Sequence, residues 1–185
     1  TGELEPTNDA YAIAKIAGIK MCQSYNEQYR TNFRCLMPTN TFGPKDKYDD
    51  LNSHFLPALI KKIHKLKVSK KNKLLIWGNG KAKREAIHVD DLANACVFFM
   101  NKKIKHSIIN IGTGKDYSIK YYADLIKKII LPNKKIIIQY DLTKPNGTPR
   151  KVMDVSVAKK YGWEFQTSLK RSIINTYQSY LKEIK

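Results

Sequence analysis

Cysteine is scarce: Cys22, Cys35 and Cys96 are the only three, and none stands in C-x-x-C spacing. An odd, scattered set excludes a disulfide framework and a thiolate zinc site, so reduced core thiols and no metal centre are expected. No stretch approaches the roughly 20 consecutive apolar residues of a membrane span. The opening Thr-Gly-Glu-Leu-Glu-Pro has neither the basic nor the apolar region of a secretion signal, so no membrane partner and a cytoplasmic location are expected. Acidic residues are few, 16 against 34 lysines and arginines, for a formal charge of +18. That excess attracts polyanions, whether nucleic acid or the diphosphate of a nucleotide, and charge alone does not choose between them. Arginine is sparse beside lysine, and the densest run, Lys61 to Lys73, carries no arginine forks with interleaved aromatics. It reads as a solvated lysine face with anion steering second, and nucleic acid is not the expected partner. No internal repeat or low-complexity linker interrupts the chain. Thr1 is not a start methionine, and the sequence is expected to begin partway through a longer protein.

With 185 residues, 42% of them hydrophobic, one core and one domain over 1–185 are expected. Ile13, Ala14, Ala17, Ile19 and Met21 predict a helix from about Ala10 to Gln28, with Thr7, Asn8 and Asp9 as candidate caps. Phe33 to Met37 reads as a strand stopped by Pro38. Leu56, Leu59, Ile60 and Ile63 predict a second helix with Pro57 in its first turn. Leu74 to Trp77 is a strand closed by Gly78-Asn79-Gly80, and Ala86 to Val89 extends nearby before Asp90-Asp91 caps a helix through Met100. Ser107 to Ile111 predicts a strand, Ser118 caps a helix to Ile130, and Lys135 to Tyr140 is β-branched and strand-like. A turn-rich loop from Lys144 to Arg150 precedes a last helix from about Thr167. Strands alternating with helices define an α/β protein whose later elements can form a small appended lobe.

The sharpest chemical signal is Tyr11-Ala-Ile-Ala-Lys15, because four helical residues return two side chains to one face about 6 Å apart. An ammonium beside a phenol favours phenolate and moves it toward useful acid/base chemistry. Taken alone, so short a pattern is more often an ordinary surface Tyr/Lys pair. Its surroundings change that: Glu5-Pro6-Thr7-Asn8 precedes it, and Met37-Pro38-Thr39-Asn40 leads to Gly43-Pro44. Further on stand Asn52-Ser53-His54, Trp77-Gly-Asn-Gly80, Arg84-Glu-Ala-Ile-His-Val-Asp-Asp91, Asn110-Ile-Gly-Thr-Gly114 and Lys144-Pro-Asn-Gly-Thr-Pro-Arg-Lys151. In this order, over essentially the whole chain, these motifs resemble the GDP-L-fucose synthase family of extended short-chain dehydrogenase/reductases.

The resemblance implies a Rossmann-like NAD(P)-binding fold, here lacking its N-terminal strands, with a small C-terminal α/β substrate-binding lobe. It implies NADP-dependent 3,5-epimerisation and 4-reduction of GDP-4-dehydro-6-deoxy-D-mannose. Tyr11 would give the proton to the C4 oxygen, and Lys15 would hold the nicotinamide ribose of NADP(H) and lower the tyrosine pKa. Pro38, Thr39, Asn40 and Thr41 would line the nicotinamide pocket with backbone groups. His54 would be the acid of epimerisation and also border the cofactor; as a lone histidine at a helix start it would be expected only to cap or pack. His64, His88 and His106 have weaker claims, with His88 structural. Substrate positions fall on Lys62, Trp77, Arg84 and Asn146, cations for a diphosphate and an aromatic surface. Without the motif, Arg84 would be a salt-bridge residue and Trp77 core packing, and Lys61 remains an alternative to Lys62 for the inward cation. Asn146 departs from the family's aspartate, keeping an acceptor and losing the charge.

A glycine-rich dinucleotide turn after a first strand is absent, as are the family's catalytic serine and the cysteine of epimerisation. These are expected upstream, in cis or on a separate chain, and this portion alone is expected not to turn over. A homodimer involving the Tyr11 helix is implied. Two other readings compete: another extended nucleotide-sugar epimerase or reductase, and a non-catalytic basic module that binds polyanions.

Overall fold

The computed structural model describes residues 3–4, 8–49 and 53–184. Glu5, Pro6, Thr7 and Asn52 of the motifs lie outside the described residues. The order opens with helix α1 (Asp9–Tyr29) and strands β1 (Cys35–Pro38) and β2 (Asn40–Phe42), followed by α2 (Phe55–Lys67). Next come β3 (Lys73–Trp77), β4 (Lys83–His88), α3 (Val89–Asn101), β5 (Ile108–Ile111) and β6 (Asp116–Ser118). The chain ends with α4 (Ile119–Ile130), β7 (Ile137–Asp141), β8 (Arg150–Lys151), α5 (Ser156–Lys160) and α6 (Leu169–Glu183).

Pairing is mostly parallel, as the alternation of strands and helices requires. β1 pairs β5 in parallel, Cys35 opposite Ile108, and β3 pairs β7 in parallel, Lys73 opposite Ile137. β4 is the branch point: parallel to β2 and β8, antiparallel to β6. Two apolar cores result. The larger gathers Leu56, Ile60 and Ile63 of α2, Leu74 and Ile76 of β3, Tyr122 and Ile126 of α4 and Ile173 of α6. The smaller joins Ile109 and Ile111 of β5 to Ala95 and Phe99 of α3 and to Trp163. α1 buries none of its residues among those described, and Ile13, Met21 and Tyr25 stand exposed along it. No helix of the described residues is long and apolar enough to cross a membrane.

Several local expectations are corrected. His88, not the Asp90-Asp91 pair, is the N-cap of α3: its ring accepts from Asp90 N–H, and both aspartates sit in the first turn, where the positive helix end favours them. The cysteines are not core thiols; Cys22 and Cys35 are half-buried and Cys96 is exposed, because Ala95 and Phe99 occupy the inward stripe of α3. Asn8 caps α1 by position but makes no side-chain cap bond. The short elements β2, β6, β8 and α5 were not anticipated.

Candidate active site

A cavity of about 270 Å³ opens between α2, the β3–β4 turn and the loop after β7. Lys62, Trp77, Arg84 and Asn146 all line it, together with Ser53 and Phe55, and among the described residues no acidic side chain does. Each arrives for a local reason. α2 turns its apolar stripe into the core and leaves Lys62 on the flank facing β3, where its Nζ donates to Leu75 O at 3.2 Å. Neighbouring Lys61 points elsewhere, its Nζ donating to Tyr48 O at 2.7 Å. β3 alternates buried Leu74 and Ile76 with outward residues, so Trp77 is 53% exposed rather than packed in the core. Two ammonium groups flank the indole, Lys62 Nζ and Lys144 Nζ, each 5.5 Å from the ring centroid. Lys144 was quoted only as part of a motif; its place over Trp77 follows from the course of the loop, which the spacing does not encode.

Arg84 spends Nη1 on backbone carbonyls, Thr148 O at 2.6 Å and Lys83 O at 2.7 Å, rather than on a carboxylate. Burial lowers its pKa from the ordinary guanidinium value. Its other arm, Nη2, lies against Gly147, so the loop fixes the plane of the fork from behind. Asn146 is committed to the turn: its Oδ1 accepts from Asn79 N–H at 2.7 Å. Gly78 has φ +68°, and a Cβ there would meet Asn146 Oδ1 at 2.6 Å, so both the left-handed backbone and the close approach require glycine. That clip holds the turn directly after Trp77.

His54 occupies the N-cap of α2 between two cavity-lining residues, Ser53 and Phe55. Its carbonyl accepts from Ala58 N–H at 3.0 Å, but its imidazole makes no cap bond, so the ring is not consumed in starting the helix. Asp46, which no motif singled out, is electrostatically coupled to His54. Burial pushes its carboxyl above the usual range, the Lys47 N–H and His54 pull it partly back, and Oδ2 is buried without a hydrogen-bond partner.

Tyr11 and Lys15 lie exposed on α1, with Lys15 Nζ 5.2 Å from the Tyr11 ring centroid. The strip that follows β1 is held by its own side chains. Thr39 Oγ1 and Asn40 Nδ2 donate to Glu85 O at 3.3 and 2.7 Å, Thr41 Oγ1 donates to Thr39 O at 3.1 Å, and Thr39 N–H bonds Ile111 O. Those side chains are occupied, so the strip can meet a ligand mainly through main-chain groups. It lies at the carboxyl end of a parallel strand, where open α/β sheets bind cofactors. These residues fit the nicotinamide end of a dinucleotide; the pyrophosphate end needs a glycine-rich turn that the sequence does not contain. Glu85, also missed, ties the regions together: its carboxylate accepts from the N–H groups of Thr113, Gly114 and Met153. A lone glutamate beside the apolar Ala86 and Ile87 was the available signal.

An α/β framework of mostly parallel strands, with a Tyr/Lys helix and a main-chain strip after a parallel strand, defines a Rossmann-like α/β domain. The model of the NAD dependent epimerase/dehydratase family matches residues 1–112. The chain belongs to that family. It is 45% identical over 184 residues to a putative GDP-L-fucose synthase 2 of Arabidopsis thaliana, covering 100% of this chain and 56% of that protein. It is 42% identical over 190 residues to the GDP-L-fucose synthase of Escherichia coli (strain K12), covering 98% and 59%. Among solved structures it is similar to a GDP-L-fucose synthetase from Naegleria fowleri bound to NADP, with TM-score 0.90 and 25% identity, covering 99% of this chain and 59% of that one. The chain thus spans between 56% and 59% of the length of these curated relatives.

Proposed function

We propose that the full-length protein is a GDP-L-fucose synthase, converting GDP-4-dehydro-6-deoxy-D-mannose to GDP-L-fucose with NADP(H), and that this chain provides its acid groups and substrate lobe. The observation that carries the reading is the cavity: Trp77 flanked by Lys62 and Lys144, beside a backed Arg84, with no carboxylate in the lining among the described residues. A nucleoside diphosphate matches those features, with its charge on the cations and its planar base or sugar face on the indole. The whole-chain likeness to GDP-L-fucose synthases supports a GDP-sugar over other nucleotide sugars.

Within this reading NADPH supplies hydride to C4 of the bound sugar. Tyr11 gives its phenolic proton to the C4 oxygen, and Lys15, one helical turn on, stabilises the phenolate left behind and holds the nicotinamide ribose. The strip Pro38 to Thr41 keeps the reacting face against main-chain groups. For each inversion at C3 and C5 a base of the upstream segment would take the proton from one face, and His54, its imidazole unspent on capping, would return one on the other, near the Asp46 carboxylate. Homodimerisation through the Tyr11 helix and a cytoplasmic location complete the proposal.

The test is GDP-4-dehydro-6-deoxy-D-mannose-dependent oxidation of NADPH by the full-length protein and by Tyr11→Phe. Removing the acid should cost roughly 10²- to 10⁴-fold in turnover while GDP binding is retained. Absence of oxidation by the folded wild type would move the assignment to a different nucleotide-sugar enzyme or to a polyanion-binding module.

A further inference from the structure

The loop from β2 to α2 brings Asp46 and His54 together. Ser53 Oγ shares its proton between the carbonyls of Lys47, at 2.8 Å, and Asp49, so the residues just inside Asp46 and His54 are bonded to each other across the loop. The two side chains outside that bond are electrostatic neighbours, with His54 favouring the ionised Asp46 carboxyl.

Neither side chain is fully spent. Asp46 Oδ1 accepts from Lys47 N–H at 2.8 Å, but Oδ2 is buried without a hydrogen-bond partner among the described residues. A buried acceptor left unmade is costly, and that oxygen calls for a donor. Glu183 of α6, which also acts on Asp46, repels it and supplies none. The His54 ring is exposed and makes no cap bond at the start of α2. The loop is fastened from both sides. Tyr48 packs its ring on Tyr180 of α6, centroids 4.4 Å apart, its hydroxyl donates to Thr176 O at 3.4 Å, and its carbonyl accepts from Lys61 Nζ of α2 at 2.7 Å. Lys45 N–H adds a bond to Ser179 Oγ at 3.3 Å.

We infer that Asp46 is a positioning residue for His54: with substrate bound, its Oδ2 accepts one ring N–H, and the other ring nitrogen is thereby aimed at the sugar face that receives the proton. This rests on the synthase reading, in which His54 is the acid of the C3 and C5 inversions. An imidazole pinned by a carboxylate presents one fixed nitrogen, whereas an exposed ring turning about its two side-chain torsions is seldom aimed. After each transfer the ring takes its next proton from solvent. Tyr48 acts one step further back, by keeping the loop and its carboxylate seated between α2 and α6.

Deuterium wash-in from heavy water into C3 and C5 of GDP-4-dehydro-6-deoxy-D-mannose, followed by mass spectrometry on the full-length protein without NADPH, reads the inversions apart from the reduction. Asp46→Asn should lower wash-in roughly ten- to a hundredfold, the scale of a misaimed catalytic group, with Tm and GDP affinity kept. Asp46→Glu, which keeps a carboxylate, should restore part of the rate. Tyr48→Phe should match wild type, since the ring packing and the carbonyl bond survive. Should Asp46→Asn fail to fold, Tyr48→Leu decides: it releases the loop from α6, so wash-in should fall while GDP affinity stays. Undiminished wash-in in Asp46→Asn, or losses of wash-in and GDP affinity in equal proportion, overturns the inference and leaves the synthase reading standing. A wild type that neither exchanges nor oxidises NADPH overturns that reading, and the inference with it.

Discussion

Replacing Glu85 by glutamine tests how this domain is held together. The carboxylate is fully buried, and its two oxygens receive three main-chain N–H groups: Thr113 and Gly114 on Oε1, Met153 at 2.7 Å on Oε2. Thr113 Oγ1 adds a contact at 3.2 Å. Glutamine is nearly isosteric, so packing survives, and Gly112 still lies under the side chain. Only one of its two arms accepts. With the carbonyl kept toward Thr113 and Gly114, the NH₂ group faces Met153 N–H, and one buried donor loses its partner at about 1–3 kcal/mol. The two remaining bonds fall from charge-assisted to neutral, at about 1 kcal/mol each. Removing a buried charge returns part of that as relieved desolvation. The net expectation is a loss of about 2–4 kcal/mol, read as a shift in denaturant midpoint at unchanged m-value in the full-length protein. Glu85→Ala should cost more, since all three N–H groups are orphaned and a void is left. A Glu85→Gln variant within about 0.5 kcal/mol of wild type would refute the account, because it would mean that the carboxylate's charge and second acceptor contribute nothing to these bonds.

Two further outcomes follow from the same geometry. Asn146→Asp should keep the bond to Asn79 N–H, and with it the turn, but place a negative charge in a cavity lined by none among the described residues; Kd for GDP should rise several-fold, less at high salt, with stability unchanged. Equal or tighter GDP binding would refute the idea that the cavity favours anions through its lack of carboxylates. His64 has its pKa lowered by burial and by nearby Lys67, while Nδ1 sits 3.0 Å from Tyr177 Oη. The unfolded chain therefore takes up this proton first as pH falls below about 6.5, and stability should decline from there down to the depressed folded value. His64→Gln should flatten that part of the stability curve, and an unchanged slope would assign the decline to another group.

How much of this was legible in the chain depends on length and on distance. α2 could be read because Leu56, Leu59, Ile60 and Ile63 repeat at helical spacing, and all four are buried. β2 and β6 have three residues each, too few to show an alternation, and they exist because β4 offers its edges. Spacing does not separate Lys62 from Lys61, since both flank the same stripe; the structure does, sending Lys61 Nζ to Tyr48 O and Lys62 Nζ to Leu75 O beside the cavity. Asn146 was singled out by motif, yet its bond to Asn79 spans a separation of 67 residues, which no spacing rule supplies.

β4 explains why one short strand carries so much of the site. An ordinary half-buried strand alternates, but β4 becomes buried on both faces from Glu85 to His88 because β2 and β6 flank it while α3 and α6 pack against it. Consecutive side chains therefore reach different places. Arg84 lines the cavity beside Trp77, the Glu85 carboxylate gathers the loops after β5 and β8, and His88 borders a separate cavity at the start of α6. The Glu85 carbonyl meanwhile holds Asn40 and Thr39 of the strip that follows β1. Rigidity at this strand would serve both halves of the proposed reaction, since a shift of β4 moves Arg84 and the Thr39–Asn40 strip together. Under the proposed function, substitutions in β4 should thus raise KM and lower kcat jointly, whereas changes at Trp77, at the end of β3, or at Lys144, in the loop after β7, should act on KM alone.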